Sequence, residues 1–544
     1  MSMKFDPHVY QYDSRRNVVY ATNGMVHCSQ PQVAQIGLDI MKQGGNAIDA
    51  AVAMAAAATF MEPVSNALGA DCFAQIWTKG KLYAINGSGV SPMALDLNAV
   101  NKAGLKHTDR IPLHGWISTM VPGAPRAWEM IRSRFGTKSM KELMAPAIRY
   151  AREGYPVPVT VSRFWAEGVP GNVKRAKENP EAFGPCVKMF TKDGVNPYRA
   201  GDVFKCPEVA ETLEKLAESN CESLYTGELM KRTVEFSKKT GGYFEESDFI
   251  NYKPEWVEPL HINYRGYDVY ELPPNGQGIT ALMALNILKE MDLGETRDSI
   301  DGYHKQIEAM KLAFADTKKY VADPRYMKVK TEEMLSDSYA AKRRAMITDE
   351  AIMPEPTDPW CGGTIYFCTA DKEGNMVSFI QSDNWIFGSG LVVPGTGIVL
   401  QARARGFSLD PESDNCVAGG KRAYHTIIPG FLMKDGKPVG PFGVMGGFMQ
   451  PQGHLQVLVN SINYHMNPQS ALDAPRFQWI GGKHVQLERT VPEFIAMALA
   501  AKGHEIEIVN DNIDMGRGGI IWRRDDGVMC GGTEPRCDGT LLSY

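Results

Sequence analysis

Cys361-Gly362-Gly363-Thr364-Ile365-Tyr366-Phe367 leads into Cys368-Thr369-Ala370. The polar run Asp371-Lys372-Glu373-Gly374-Asn375 then separates it from Met376-Val377-Ser378-Phe379-Ile380-Gln381. β-branched and aromatic residues on both sides of a glycine-bearing turn predict a hairpin, with strands over 364–370 and 376–381. Its first residue carries the chemical interest. A hydroxyl nucleophile needs a base beside it, and a threonine at the start of a chain has one in its own α-amino group. Cutting the Gly363-Thr364 bond would create that start. Glycine at 363 leaves room for the Thr364 hydroxyl to attack the preceding carbonyl, giving an ester that water opens. The same tetrapeptide also suits an ordinary strand after a glycine turn, so its surroundings decide.

Downstream, a second hairpin of the same design is expected over 426–433 and 438–445, around Lys434-Asp435-Gly436-Lys437. Gly446-Gly447 then precedes a helix in which Leu455, Leu458, Val459 and Ile462 line one face. Upstream, residues 347–361 set Pro354, Pro356 and Pro359 among Asp349, Glu350, Glu355 and Asp358, and read as an exposed, cuttable loop. The first half is helix-rich. Residues 31–42 place Val33, Ile36 and Ile40 on one stripe, Gly44-Gly45 ends that helix, and Asn46-Ala47-Ile48-Asp49 opens an alanine-rich one. A hairpin is expected over 73–86, helices over 125–135, 140–154, 207–219 and 228–239, and two strands over 258–272. Pro273-Pro274-Asn275-Gly276-Gln277-Gly278 precedes a long helix that begins near Ile279. No internal repeat appears, which sets solenoids and propellers aside.

The chain has 544 residues, 44% apolar and 22% charged, enough for a large core and unlike a disordered or coiled-coil composition. Its 58 Lys+Arg against 63 Asp+Glu give a net charge of -5, so no overall basic field draws nucleic acid. The ten cysteines form no CxxC pair and have no matching histidine spacing, so zinc is unsupported and free thiols are expected. Residues 1–16 lack an apolar signal segment, and the most apolar stretch, 50–61, is short for a membrane span. A cytoplasmic protein with no membrane partner is expected.

Other runs accompany the hairpin. It continues to Ser382-Asp383-Asn384 and Phe387-Gly388, and upstream stands Gly44-Gly45-Asn46-Ala47-Ile48-Asp49-Ala50-Ala51. Leu143-Met144-Ala145-Pro146-Ala147-Ile148 with Arg152-Glu153-Gly154, Tyr264-Arg265-Gly266-Tyr267 with Pro273-Pro274, and Ala474-Pro475-Arg476-Phe477 follow in order. From about Gly24 to Glu507 the chain resembles the γ-glutamyltransferase family of N-terminal nucleophile hydrolases, as a divergent γ-glutamyltransferase-like or cephalosporin-acylase-like member.

The resemblance implies an α+β fold, a four-layer αββα sandwich of the N-terminal nucleophile hydrolase type. It implies self-cleavage between Gly363 and Thr364 into chains 1–363 and 364–544, intertwined in one domain as a heterodimer, with further homo-oligomerisation left open. Thr364 would be nucleophile and base, Ser382 its assisting hydroxyl, and Gly446 and Gly447 the oxyanion hole. Asn384 matches a substrate-contacting asparagine. The implied partner is a small-molecule amide, and neither metal nor organic cofactor is needed.

The departures concern the amino acid end of the substrate. Gly87-Ser88-Gly89 stands where the family has an arginine for the glutamyl carboxylate, Arg405-Gly406 where it has an Asp-Asp pair, and His425-Thr426 where it has two serines. Guanidinium in place of carboxylate repels an ammonium and attracts an anion. The resemblance implies a γ-glutamyl or related dicarboxylic monoamide as substrate, and the exchange favours an acyl group that ends in a carboxylate but lacks the glutamyl amino group, with Arg403, Arg405, His425 and Thr426 joining Asn384 around it. Arg403 and Arg405 are placed two apart on a strand, a spacing that also suits a solvated face. Two other readings compete: an uncut, catalytically degenerate scaffold, and a metal hydrolase built on His425, His454, His465 and Asp473. If one helix carries both His454 and His465, about 16 Å separates them, too far to share an ion.

Overall fold

The computed structural model describes residues 16–354 and 363–544, so Cys361, Gly362 and the distal part of the expected 347–361 loop lie outside the described residues. Residues 347–354 carry no helix or strand. The hairpin forms as antiparallel strands Gly363–Asp371 and Met376–Asn384. These are central in a seven-stranded antiparallel sheet. Its order is Thr540–Ser543, Gly24–Cys28, Gly363–Asp371, Met376–Asn384, Asp71–Thr78, Lys81–Gly87 and Glu255–Val257. A second antiparallel sheet is ordered Val19–Ala21, Met529–Thr533, Arg517–Arg523, Lys437–Met445, Gly430–Lys434, Tyr267–Glu271 and Leu260–Tyr264. Each sheet thus draws strands from both sides of the Gly363-Thr364 bond. With the helices around them, the fold is α+β.

Both hairpin strands are buried on both faces, which explains why their apolar residues run almost without interruption. Successive side chains still alternate. Ile365, Phe367, Val377 and Phe379 join the core shared with the helices. Tyr366, Cys368, Met376 and Ile380 meet Phe431, Met445 and Ile521 of the second sheet. Gly443 permits that approach, because a Cβ there would collide with the Tyr366 ring.

The alanine-rich helix Ala47–Met61 is buried over its whole length and packs against helices Pro31–Lys42 and Met140–Glu153 and against the hairpin. Asn46 and Asp49 form its capping box. Its first free amide, Ala47 N, donates to Asp371 Oδ2 at 2.8 Å, and Thr369 Oγ1 donates to Ala47 O at 2.7 Å. Helices Met449–Ile462 and Gly278–Leu288 pack on the second sheet.

Two expectations change, and two further helices form where no element was expected. The strand expected from 426 begins at Gly430, because His425 bridges to the 275–277 segment and Pro429 has no N–H to offer a ladder. The helix near Ile279 ends at Leu288, and a separate helix spans Ile300–Tyr320. Helices Val159–Glu178 and Pro180–Phe190 form despite Pro170 and Pro185, the residues that obscure their pattern. Among the described residues, no helix is long and apolar enough to cross a membrane, and nine cysteines are free thiols.

Candidate active site

The register slips at Thr364. Gly363 pairs with Asn384 and Ile365 with Gln381, so Ser382 and Asp383 together oppose the single Thr364. A bulge of this kind re-aims side chains, and here Thr364 Oγ1 lies 3.4 Å from Ser382 Oγ. Both hydroxyls donate to one acceptor. The Gly363 carbonyl oxygen is 2.7 Å from Thr364 Oγ1 and 2.5 Å from Ser382 Oγ. Gln450, in the first turn of helix Met449–Ile462, reaches Thr364 Oγ1 with its Nε2 at 3.5 Å.

Arg403 holds the second hydroxyl. Its Nη2 donates to Ser382 Oγ at 3.1 Å and its Nη1 to Thr426 Oγ1 at 2.9 Å. The guanidinium is buried, and burial pushes it down to about 10, against the pull of Asp71 and Asp383. Asp71 accepts from Gly89 N and Gln401 Nε2, each at 2.7 Å, and meets His425 Nε2 at 3.0 Å. Burial raises Asp71 to about 7 and drives His425 well below its ordinary range. The imidazole is therefore neutral. Ile427 N approaches its Nδ1 at 3.4 Å, which fits an Nε2–H donating to Asp71.

Gly446 and Gly447 connect strand Lys437–Met445 to helix Met449–Ile462 with φ of 129° and 59°. The first hydrogen bond of that turn runs from Met449 N to Gly446 O, so both glycine amides lie upstream of the helical ladder. Gln277 Nε2 donates to Gly447 O at 2.9 Å and to Thr426 O at 2.6 Å, tying the glycine turn to the other side of the site. A cavity of about 130 Å³ is bordered by Gly363, Gly446 and Trp385. A larger one, about 760 Å³, is lined by Arg405, Gly406, Tyr424, Thr426 and Phe448 among others.

Thr364, Ser382, Gly363, Arg403 and Thr426 thus form one connected group, and Gly446 lines the same small cavity as Gly363. Asn384 has a φ of 81° and donates from Nδ2 to Ala402 O at 2.7 Å. Its Oδ1 is buried without a hydrogen-bond partner among the described residues.

The arginine pair requires correction. Arg403–Gly406 is a 3-10 turn instead of a strand, and residues two apart in so tight a turn diverge. Arg403 goes into the core and does not line the large cavity, whereas Arg405 lines it and donates to Ile111 O at 2.5 Å. His425 also departs from its expected place, being buried against Asp71 and lining neither cavity. On the metal reading, the helix ends at Ile462, before His465, and His454 Nδ1 meets Glu271 Oε1 at 2.6 Å. The sequence reading missed Asp71 and Gln450. Gln450 had one local signal, its place just after the glycine pair; Asp71 had none.

The family model described as gamma-glutamyltranspeptidase matches residues 33–544, and the chain belongs to that family. The fold is similar to the crystal structure of cephalosporin acylase from Bacillus halodurans. The TM-score is 0.95 and the identity 53%, covering 100% of this chain and 99% of that one. The glutathione hydrolase-like YwrD proenzyme of Bacillus subtilis is 34% identical over 96% of this chain and 99% of its own length. The oxamate amidohydrolase proenzyme of Klebsiella pneumoniae is 31% identical, again over 96% and 99%.

Proposed function

We propose that this protein is a self-processing amidohydrolase whose substrates carry an acyl group ending in a carboxylate. The observation that carries the reading is the pair of hydroxyls, Thr364 and Ser382, on the Gly363 carbonyl oxygen. In self-cleavage the Ser382 hydroxyl polarises that carbonyl and Thr364 Oγ attacks its carbon. The carbon–nitrogen bond breaks as the ester forms, and water hydrolyses the ester, leaving a Gly363 carboxylate and a free Thr364 amine. The relatives named above as proenzymes fit such a step. The products, 1–363 and 364–544, would stay together because each sheet contains strands of both. The two facing sheets, with helices on their outer sides, would make the αββα sandwich.

In turnover the freed amine takes the proton from Thr364 Oγ as the oxygen attacks the substrate amide. Negative charge develops on the carbonyl oxygen, and the Gly446 and Gly447 amides are the donors for it. The amine then protonates the departing nitrogen. Water, deprotonated by the same amine, releases the acid from the acyl-threonine.

The large cavity lies on the Thr426 side and receives the acyl group, with Arg405 on its wall for the terminal carboxylate. Oxamate, in the name of the Klebsiella relative, is itself the monoamide of a dicarboxylic acid. Two measurements test the reading together. Mass spectrometry should find a fragment starting at Thr364, and the processed enzyme should cleave glutaryl anilide faster than γ-glutamyl anilide. An uncut, fully active chain would overturn the mechanism, and faster γ-glutamyl cleavage would overturn the anion preference.

A further inference from the structure

Ser382 Oγ has every one of its hydrogen-bonding directions in use. A hydroxyl offers one proton and two lone pairs. Arg403 Nη2 donates to this oxygen at 3.1 Å and Asn384 N donates to it at 2.9 Å, so both lone pairs are taken. The proton then goes to the Gly363 carbonyl oxygen at 2.5 Å. Without Arg403 the hydroxyl would be free to turn, since Thr364 Oγ1 at 3.4 Å is a second oxygen within its reach.

The fold holds Arg403 to this place from both ends. Ala402, the residue before it, donates from N to Asp383 O at 2.9 Å and accepts from Asn384 Nδ2 at 2.7 Å, which fastens the 3-10 turn to the two residues that follow Ser382. At the tip of the side chain, Nη1 donates to Thr426 Oγ1 at 2.9 Å, and the Thr426 carbonyl is itself held by Gln277 Nε2. The guanidinium Nε is buried without a hydrogen-bond partner among the described residues, so the two terminal nitrogens carry the contacts. Asp71 and Asp383 act on the guanidinium and favour a cation in this buried position.

We propose that Arg403 is a positioning residue for self-cleavage, which aims the Ser382 proton at the scissile carbonyl and brings a positive charge to bear on that oxygen through the hydroxyl. Negative charge develops on Gly363 O as Thr364 Oγ attacks, and a hydroxyl that accepts from a cation is a stronger donor to it. The inference rests on the self-processing reading above.

A double-mutant cycle on the rate of self-cleavage, followed on freshly made precursor by denaturing gel, tests it. Arg403→Lys keeps the charge without the planar fork and should slow cutting by about tenfold, the loss of one well-placed charge-assisted hydrogen bond. Arg403→Gln, which lacks the charge, should cut more slowly still. Where Ser382→Ala has already slowed cutting on the order of a hundredfold, adding Arg403→Lys should cost no more than about twofold, because the hydroxyl it acts through is gone. An arginine with only a structural role would give losses that multiply. That result, or cutting of Arg403→Lys at the native rate, would overturn the proposal. Arg403→Lys retains the buried cation near Asp71 and Asp383, so it carries the test even if melts show that Arg403→Gln does not fold. Failure of the underlying reading looks different, because the native protein would then never cut.

Discussion

Among the described residues, Thr364 Oγ1 has three polar neighbours, Gly363 O, Ser382 Oγ and Gln450 Nε2, and the first belongs to the carbonyl whose carbon the proposed self-cleavage attacks. Ser382 links Thr364 to charge, since its hydroxyl accepts from Arg403 while donating to Gly363 O. Thr364→Ala should therefore abolish both cutting and turnover, and Thr364→Ser should retain some of each, as followed by a denaturing gel and an anilide assay. Ser382→Ala leaves the nucleophile in place but removes a donor from the scissile carbonyl. Its self-cleavage should slow on the order of a hundredfold, the usual effect of losing one such donor. Cutting at the native rate would deny Ser382 this role. Thr364, Ser382 and the glycine pair were legible because they lie in contiguous runs. Asp71, Gln450 and the burial of Arg403 were not, because a lone polar residue acquires its role from neighbours hundreds of positions away.

At the scale of elements, the site depends on two irregularities: the bulge opposite Thr364 and the turn at Gly446-Gly447. The hairpin itself could be read from its alternating pattern and its turn. The bulge could not, because register is set by pairing between strands and a slip of one residue leaves composition unchanged. The glycine turn was visible as a pair, but its backbone angles were not. A Cβ at Gly446 would meet Gly516 Cα at 3.4 Å, an ordinary contact, so the constraint there is the φ of 129°. Gly446→Ala should fold with a penalty of about 1–3 kcal/mol and lose on the order of 10²- to 10³-fold in kcat as the amide is displaced. Gly443→Ala supplies the contrast. Its Cβ would strike the Tyr366 ring between the sheets, so it should lower Tm and leave the kcat of the surviving fold unchanged.

At the scale of the whole molecule, strands from both sides of the Gly363-Thr364 bond are interleaved in both sheets, so the two parts share each sheet. That interleaving was not legible from local pattern and came only through the family resemblance. Glu62 shows how distant parts of the chain share one group. It follows helix Ala47–Met61, accepts from Ser29 Oγ at 2.6 Å just beyond strand Gly24–Cys28, and feels Arg517 of the second sheet. Burial dominates and raises its carboxyl to about 7, against the favourable influence of Arg517, Ser29 and Ser65. Between about pH 4.5 and 7 the folded protein keeps a proton that the unfolded chain has released. Glu62 thus favours folding least at the top of that window, and its contribution falls as pH rises. Glutamine at 62 keeps the shape and the acceptor oxygen but cannot ionise. The stability of Glu62→Gln relative to the native protein should therefore increase between pH 5 and pH 8, by on the order of 3 kcal/mol across the full window. Parallel thermal melts of the two proteins at several pH values would measure it, and a difference in Tm that stays constant with pH would show that Glu62 is ionised in the fold throughout.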